Sequence, residues 1–247
     1  MIQKAAELIR SAQNLTAFTG AGISVESGIP PFRGENGLWN RYDPQFLDIQ
    51  YFQYHSGQSW PIIKEIFYDH FGDAHPNGAH EVLAAWEQSG LLKSIITQNI
   101  DNLHQRAGSK EVYEFHGNSR NLVCMECGKN FAVEEVSLEE LPVQCTNCGG
   151  LVKPSFIFFG EGIPPLAYKQ SVHALEQADV LLVIGTTGEV VPAGQLPYIA
   201  KEHGAAVIEI NTEPSVFTKR ITDVFLQGKA SDVLRQLATE LDKINTH

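Results

Sequence analysis

Four short apolar runs, each followed at once by glycine or small polar residues, constrain the fold of this chain most strongly. The runs occupy residues 15–18, 94–97, 180–184 and 206–210, and stretches with helical spacing lie near them. Strands that alternate with helices predict an open, mostly parallel α/β sheet. Ligands of such sheets bind beside the carboxyl ends of the strands, so four polar endings together predict one binding site.

The residues at the four strand endings are the first candidates for a nucleotide site. They are Gly20, Ala21, Gly22, Ser24, Gln98, Asn99, Ile100, Asp101, Gly185, Thr186, Thr187, Asn211, Thr212 and Glu213. A Gly-x-Gly turn directly after a strand lets the backbone approach a phosphate closely. The third glycine of the usual dinucleotide fingerprint is missing, because position 25 is valine, and no ribose-binding carboxylate is evident further on. The pattern fits a variant dinucleotide site or a glycine turn with only a steric role, and it argues against an ordinary dehydrogenase.

The composition excludes several classes of protein. Of the 247 residues, 43% are hydrophobic and 19% are charged, which is typical of a globular chain. The net charge of −11 argues against direct nucleic-acid binding, and it fits either a basic substrate, such as a lysine-bearing peptide, or plain solubility. No apolar run is as long as a membrane helix, and the first seven residues lack a signal-peptide core. We therefore expect a soluble cytoplasmic protein; the oligomeric state stays open.

All four cysteines fall into two Cys-x-x-Cys pairs, Cys124 with Cys127 and Cys145 with Cys148. Four thiolates at this spacing predict one tetrahedral zinc, and a chain without an export signal favours metal over disulfides. Four sulfur ligands leave no position for water, so the predicted zinc is structural. A DNA-binding zinc ribbon is the competing interpretation, and the glutamates that outnumber lysine in this segment argue against it.

Two segments break the alternation of strands and helices. Residues 35–80 are rich in aromatic residues and histidine, and residues 118–153 hold the cysteines and an acidic stretch. We interpret both as insertions that build a second, smaller domain. Helical spacing predicts a first helix over residues 2–13 and an amphipathic closing helix around residues 233–241.

His116 and Asp101 are the candidate catalytic groups. His116 lies just before the cysteine segment, and therefore between the two predicted domains, and Gly117 leaves room for a ligand. A histidine can remove a proton near neutral pH. Asp101 follows a strand, and the alternative role for it is to cap a helix that begins at residue 102.

Taken together, these motifs resemble the sirtuin family of NAD-dependent protein deacylases, in its bacterial or archaeal form. The resemblance extends from about residue 10 to residue 240. It rests on segments that occur in the order of the family, namely residues 20–30, 32–34, 97–101, 116–117, the four cysteines, 153–154 and 159–161. No single segment is specific, but the combination is.

The resemblance implies a Rossmann-like NAD-binding domain with a smaller inserted zinc-binding and helical domain. The large domain would comprise residues 1–34, 81–117 and 154–247, with a helical insertion at 35–80 and a zinc-binding module at 118–153. NAD, as co-substrate, would lie in the cleft between them. Beyond the strand-end residues, the NAD site would include Phe32, Arg33, Lys229 and Ala230.

The resemblance also places an acyl-lysine substrate in a tunnel on the opposite side of the cleft. The walls of this tunnel would include Phe32, Ile100, His116, Ile157 and Phe159. The substrate peptide would pair as a strand between two segments, Phe159-Gly160-Glu161 and Glu189-Val190-Val191.

The implied reaction consumes NAD and is not a redox reaction. Asn99 and Asp101 would hold the ribose and the nicotinamide amide while the acyl oxygen attacks C1′ and nicotinamide leaves. His116 would act as general base on a ribose hydroxyl, and the products would be free lysine, nicotinamide and O-acyl-ADP-ribose. Ser24 and the backbone of residues 20–22 would bind phosphate. The adenosine end would meet Thr186, Thr187, Asn211 and the turn at residues 228–230.

Two departures from the pattern of the family carry predictions. Pro31 stands where the family usually has aspartate, which removes a carboxylate and fixes the backbone of a loop that must move. We expect slower turnover or altered nicotinamide sensitivity. Second, succinyl-selective sirtuins resemble one another in a Tyr-x-x-Arg pair, whereas Tyr68 here is followed by Phe71. This absence predicts neutral acyl groups, acetyl first.

Other functions stay open on the same residues. An ADP-ribosyltransferase or an NAD hydrolase would use the same NAD site, and a non-enzymatic nucleotide sensor or zinc-ribbon module would bind without turnover.

Overall fold

The structure is a computed structural model that describes residues 1–32, 37–72 and 74–245. The strands in these residues are β1 (Leu15–Thr19), β2 (Leu92–Thr97), β3 (Val112–Glu114), β4 (Asn121–Cys124), β5 (Asn130–Ala132), β6 (Val152–Pro154), β7 (Val180–Ile184), β8 (Ala206–Asn211) and β9 (Val224–Gln227). The α-helices are α1 (Ile2–Ser11), α2 (Ile49–Lys64), α3 (Gly78–Gln88), α4 (Leu103–Arg106), α5 (Pro165–Gln177), α6 (Leu196–Glu202) and α7 (Ala230–Asn245).

The main sheet of the described residues is parallel throughout, with the strand order β3-β2-β1-β7-β8-β9. The order reverses between β1 and β7, which in an open α/β sheet marks the place where ligands bind. The predicted parallel α/β fold is therefore confirmed. The edge strands β3 and β9 were not predicted, because three or four residues carry too weak a pattern to be recognised.

Helices cover both faces of the main sheet. α1, α3 and α7 pack with β1, β7 and β8 in one core, and α5 and α6 pack on the other face. The predicted closing helix is confirmed as α7, which buries Val233, Leu234, Leu237 and Leu241. The first helix is two residues shorter than predicted, because Ala12 has an extended backbone with φ −67° and ψ 136°.

The smaller domain combines the two predicted insertions around one core. α2 packs against the antiparallel sheet β5-β4-β6, and the shared core includes Trp60, Leu122 and Phe156. The indole N–H of Trp60 donates to the Val152 carbonyl at 2.9 Å, which ties the helical segment to the cysteine segment. The helical and zinc segments therefore form one structural unit.

α2 is 16 residues long and is interrupted at His55, where φ is −131° and ψ is 31°. Asp48 begins this helix by accepting a hydrogen bond from Tyr51 N at 2.9 Å. Among the residues described here, no helix is both long enough and apolar enough to cross a membrane.

Candidate active site

A cavity of about 720 Å³ lies at the carboxyl ends of β1, β2, β7 and β8, between the main sheet and the smaller domain. Its wall contains most of the predicted site residues. These are Gly20, Ala21, Gly22, Phe32, Gln98, Asn99, Ile100, His116, Ile157, Phe159, Gly160, Glu161, Gly185, Thr186, Thr187, Val190, Val191, Asn211, Thr212, Glu213, Lys229 and Ala230. Ser24, Asp101 and Glu189 lie outside the wall, and Arg33 lies outside the described residues. The strand endings thus meet at one cavity of a size typical of ligand sites.

Close packing of β1 and β7 explains the glycines of the first turn. Gly20 N donates to the Ile184 carbonyl at 3.0 Å, and Gly22 N donates to the Gly185 carbonyl at 2.8 Å. A Cβ atom on Gly22 would lie 2.7 Å from Gly185 Cα, and one on Gly20 would lie 2.7 Å from Thr186 Cβ. The turn continues into a 3-10 helix, not an α-helix. The glycines therefore have a steric role, and they also form part of the cavity wall.

Asn99, Ser24 and Asp101 form a hydrogen-bonded chain beside β2. Asn99 Nδ2 donates to the Gly20 carbonyl at 3.2 Å and to Ser24 Oγ at 3.1 Å. The Ser24 hydroxyl donates to Asp101 Oδ2 at 2.6 Å. Only Asn99 reaches the cavity wall, because Ser24 is fully buried behind it. The ligand contacts predicted for Ser24 and Asp101 stay predictions, and in this structure the two side chains hold Asn99 in position.

Asp101 also fills its predicted alternative role at a helix start. Its Oδ1 accepts a hydrogen bond from Leu103 N at 3.0 Å. α4 begins at Leu103, one residue later than the alternative supposed, because Asn102 has a left-handed backbone with φ 65°. Burial raises the pKa of Asp101, and the hydrogen bonds from Ser24 and Leu103 oppose that rise. Both oxygens of the carboxyl group are engaged within the protein.

His116 is held by backbone groups on two sides. Its Nδ1 lies 3.0 Å from the Gln98 carbonyl, and because a carbonyl only accepts, Nδ1 carries the proton and Nε2 presents a lone pair. Ile157 N donates to the His116 carbonyl at 2.8 Å. Gly117 has φ +72°, and a Cβ atom there would lie 2.6 Å from the Ser155 carbonyl oxygen. Burial lowers the pKa of His116, and the hydrogen bond to the Gln98 carbonyl opposes this shift, so the ring is neutral near pH 7 and Nε2 can accept a proton.

The part of the cavity at the ends of β7 and β8 is polar. Its hydrogen-bonding groups are of the kind that bind the phosphates and sugar of a dinucleotide. Gln98 Nε2 donates to Thr186 Oγ1 at 3.0 Å, and Asn211 Nδ2 donates to the Thr186 carbonyl at 3.1 Å. Lys229 and Ala230 bring a cation and the start of α7 to the wall. Backbone N–H groups at the start of a helix attract anionic groups.

The segment predicted to pair with a substrate peptide is attached to the smaller domain. Phe159 N donates to the Leu47 carbonyl at 2.8 Å, and Ile49 N donates to the Phe159 carbonyl at 3.0 Å. Phe159 is 45% exposed and Val191 is 68% exposed, although both are large apolar residues of the cavity wall. Glu189 is exposed and accepts a weak hydrogen bond from Thr187 Oγ1 at 3.4 Å.

The four cysteines converge as predicted. All four sulfur atoms lie within 4.8 Å of one another, with Cys124 Sγ 3.6 Å from Cys148 Sγ and Cys127 Sγ 3.8 Å from Cys145 Sγ. Four sulfurs at about 2.3 Å from a tetrahedral zinc are roughly 3.8 Å apart, so the cluster fits one structural zinc.

Several apolar residues of the cavity wall were not predicted. Trp39, Leu47 and Phe67 come from the helical segment, and Phe156 and Phe158 follow β6. The sequence shows that the helical segment is rich in aromatic residues, but no periodicity shows which rings reach the cavity. Their presence gives the side of the cavity next to the smaller domain an apolar wall.

The whole chain is similar to proteins of one family. A sequence model described as the Sir2 family matches residues 20–192. The chain is 44% identical over 242 residues to NAD-dependent protein deacylase 2 of Pyrobaculum aerophilum, covering 96% of this chain and 95% of the relative. It is 41% identical over 251 residues to the NAD-dependent protein deacylase of Pyrococcus abyssi, covering 99% of each.

Solved structures agree with these relatives. A mutant Sir2 homologue in complex with ADP-ribose superposes with a TM-score of 0.94 at 40% identity, covering 100% of this chain and 98% of the other. A Sir2 complex with a p53 peptide and NAD+ superposes with a TM-score of 0.90 at 34% identity, covering 97% and 98%. The predicted family is confirmed: the chain belongs to the Sir2 family, the sirtuins.

Proposed function

We propose that the protein is an NAD-dependent protein-lysine deacetylase, which transfers the acetyl group of acetyl-lysine to ADP-ribose and releases nicotinamide. The predicted enzyme class agrees with the names of the relatives. The observation that carries the proposal is His116, whose Nδ1 is fixed on the Gln98 carbonyl and whose Nε2 is left as the basic nitrogen in the cavity. Acyl transfer to a ribose hydroxyl needs a neutral base at this point.

The placement of the residues supports the remaining proposed roles. Asn99, held by Ser24 and Asp101, would orient the nicotinamide ribose, and the strand-end residues of β7 and β8 would hold the adenosine end. Residues 1–34, 81–117 and 154–247 would form the NAD-binding domain, with 35–80 as the helical insertion and 118–153 as the zinc-binding module. The acyl-lysine peptide would lie along Phe159 and Val191, whose exposed apolar surfaces suit a partner.

Acetyl is the proposed acyl group. Phe71 takes the place of the arginine that binds a succinyl carboxylate in succinyl-selective sirtuins, and its ring packs 5.8 Å from Phe67. Phe67 itself lines the cavity. A carboxylate on the acyl chain would meet aromatic surface here and lose its hydration without gaining a cation.

A cytoplasmic location and no direct contact with nucleic acid complete the proposal. Four thiolates on one zinc require reduced cysteines, which the cytoplasm maintains. The net charge of −11 repels a polyphosphate backbone.

The test is mass spectrometry of the products formed from NAD and an acetyl-lysine peptide. Wild type should yield O-acetyl-ADP-ribose, nicotinamide and free lysine peptide, and His116→Ala should lower the rate by about 10²–10⁴. His173→Ala is the matched control, because it removes an exposed histidine on α5 outside the cavity wall.

The alternative functions give different products. ADP-ribose attached to protein would identify an ADP-ribosyltransferase, and free ADP-ribose without loss of acetyl would identify an NAD hydrolase. Either result would overturn the deacetylase proposal.

A further inference from the structure

Glu209 is a charged residue buried in the middle of a central strand. It lies in β8 between Ile208 and Ile210, and it is only 1% exposed. β8 pairs with β7 on one side and β9 on the other, so it is an internal strand, and its side chains point to the two covered faces of the sheet. A buried carboxylate is costly unless the protein supplies its hydrogen bonds. Its presence in the sheet calls for a specific role.

The carboxylate accepts hydrogen bonds from three hydroxyl groups. Ser215 Oγ and Thr218 Oγ1 donate to Oε1 at 2.5 and 3.0 Å, and Thr222 Oγ1 donates to Oε2 at 2.7 Å. Distances near 2.5–2.7 Å are typical of strong hydrogen bonds from a hydroxyl to a charged oxygen. Among the residues that the structure describes, Glu209 is not part of an ion pair, and hydroxyl groups stabilise its carboxylate.

All three donors belong to the loop of residues 212–223, which connects β8 to β9. This loop begins with Thr212, Glu213 and Pro214 in the wall of the cavity. Two further hydrogen bonds make its turn rigid: Ser215 N donates to Thr218 Oγ1 at 2.8 Å, and the N–H of residue 217 donates to Ser215 Oγ at 3.1 Å. The Glu209 carboxylate therefore holds the loop in place through hydrogen bonds from three of its side chains.

The same loop fixes a second stretch of the cavity wall. Val216 N donates to the Thr187 carbonyl at 3.2 Å. The buried ring of Phe217 packs against Gly188. A Cβ atom on Gly188 would lie only 2.4 Å from this ring. One buried carboxylate thus sets the positions of wall residues after both β7 and β8.

We propose that Glu209 is a positioning residue for the adenosine half of NAD, an inference that rests on the proposed function. It does not line the cavity. It acts through the loop, by holding Thr212, Glu213 and the Thr187 backbone in the arrangement that receives the nucleotide. Its loss weakens nucleotide binding while the chemistry at His116 is left intact.

The experiment compares Glu209→Gln with Glu176→Gln, an exposed glutamate on α5. Glutamine keeps the shape and removes the charge, and its amide nitrogen cannot accept the Thr222 hydroxyl. Glu209→Gln should raise the KM for NAD and the calorimetric Kd for ADP-ribose about tenfold. The kcat at saturating NAD and the KM for the acetyl-lysine peptide should stay within about twofold. Glu176→Gln should match wild type.

Thr222 provides a milder pair of variants that does not touch the buried charge. Thr222→Val removes one donor and should raise the Kd for ADP-ribose about threefold, whereas Thr222→Ser keeps the hydroxyl and should restore wild-type binding. A lower thermal midpoint in both Glu209→Gln and Thr222→Val with unchanged ADP-ribose affinity would overturn the proposal and leave Glu209 a purely structural role.

The two levels of inference can fail separately. ADP-ribose binding is measured without an acyl-lysine peptide, so a wild type that binds ADP-ribose but leaves the peptide intact rejects the deacetylase proposal while calorimetry still decides on Glu209. A wild type that does not bind ADP-ribose rejects both.

Discussion

Lys153 forms a buried ion pair beneath the segment of residues 159–161, which we propose as the peptide-binding edge, and its removal is a quantitative test of how that edge is held. Lys153 Nζ lies 3.0 Å from Glu161 Oε2 and donates to the carbonyls of Pro154 and Phe156 at 2.8 and 3.0 Å. Glu161 Oε2 also accepts from Phe158 N at 2.7 Å. The Lys153 side chain is 4% exposed and that of Glu161 is 24% exposed. Desolvation lowers the pKa of Lys153, and the Glu161 carboxylate opposes this shift.

Lys153→Met keeps the length of the side chain and removes its charge. Two carbonyls and one carboxylate then lose a donor inside the protein. Removing one partner of a buried ion pair costs about 3–5 kcal/mol, and because Glu161 retains some contact with water we expect the lower end, about 3 kcal/mol. For a chain of this size the thermal midpoint should fall by roughly 6–12 °C.

The assay is a double-mutant cycle of unfolding free energies with Lys153→Met, Glu161→Gln and the combined variant. The combined variant leaves no unpaired charge, so its loss should be smaller than the sum of the single losses by about 1–2 kcal/mol. Both single variants should raise the KM for the acetyl-lysine peptide. Lys243→Met, which breaks an ion pair with Glu240 where the lysine is 65% exposed, is the control and should cost less than about 1 kcal/mol.

Two results would refute this reasoning. A loss for Lys153→Met as small as that of the surface control would mean that the ion pair does not hold the edge. Strict additivity in the cycle would mean that Lys153 and Glu161 act independently.

Four further perturbations have defined outcomes. The pKa of His116 is lowered below 6.5 by burial, so kcat/KM should stay constant from pH 8 to 6.5 and fall only at lower pH. A pH–rate profile in which kcat/KM already falls above pH 7 would contradict this. Burial lowers the pKa of His80 to about 4, so above pH 6.5 the ring is neutral in both the folded and the unfolded chain. As the pH falls from 6.5 towards 4 only the unfolded chain takes up the proton, and about 3 kcal/mol of stability is lost. Urea unfolding of His80→Gln should show a shallower loss over that range, and an identical loss would rule the explanation out. Chelation of zinc should unfold the smaller domain and abolish activity, and added zinc should restore both, because a structural zinc binds with a free energy of about 10–16 kcal/mol that stabilises the fold. Activity that persists when all four thiols react with a thiol reagent would contradict this. Pro31→Asp should raise turnover or shift nicotinamide inhibition by about twofold or more, since Pro31 lines the cavity and its ring fixes its own backbone φ; unchanged values for both would dismiss a role for Pro31.

Features that depend on neighbours in the chain were predicted correctly. The Gly20-Ala21-Gly22 turn and the cysteine pairs are local patterns, because a tight turn and a pair of zinc ligands are each formed within a few residues. The buried strands were recognisable because runs such as β7 are apolar at every position and buried at every position. Strand ends in a parallel sheet meet at one edge, so the cavity followed from the strands.

Features that depend on distant contacts were not predictable from local spacing. Ser24 and Asp101 are 77 residues apart, and local spacing gave no sign of the hydrogen bonds that join them to each other and to Asn99. Their predicted contacts with NAD stay predictions. The aromatic rings of the helical segment were visible as composition, but their approach to the cavity depends on the packing of α2 against β4–β6. Glu209 lies in the mostly apolar run of β8, and its proposed role could be inferred only from the hydroxyl groups that donate to it in the structure.

The sequence by itself determined the parallel sheet, the clustering of the four cysteines, the family and most of the strand-end residues around the cavity. The tertiary structure alone decided which of those residues line the cavity and which support it from behind, which nitrogen of His116 is basic, and why a carboxylate can be buried in β8. The physical reason is that periodicity and turn chemistry are encoded by adjacent residues, whereas burial, hydrogen-bond partners and pKa shifts arise from groups that meet only when distant segments pack together.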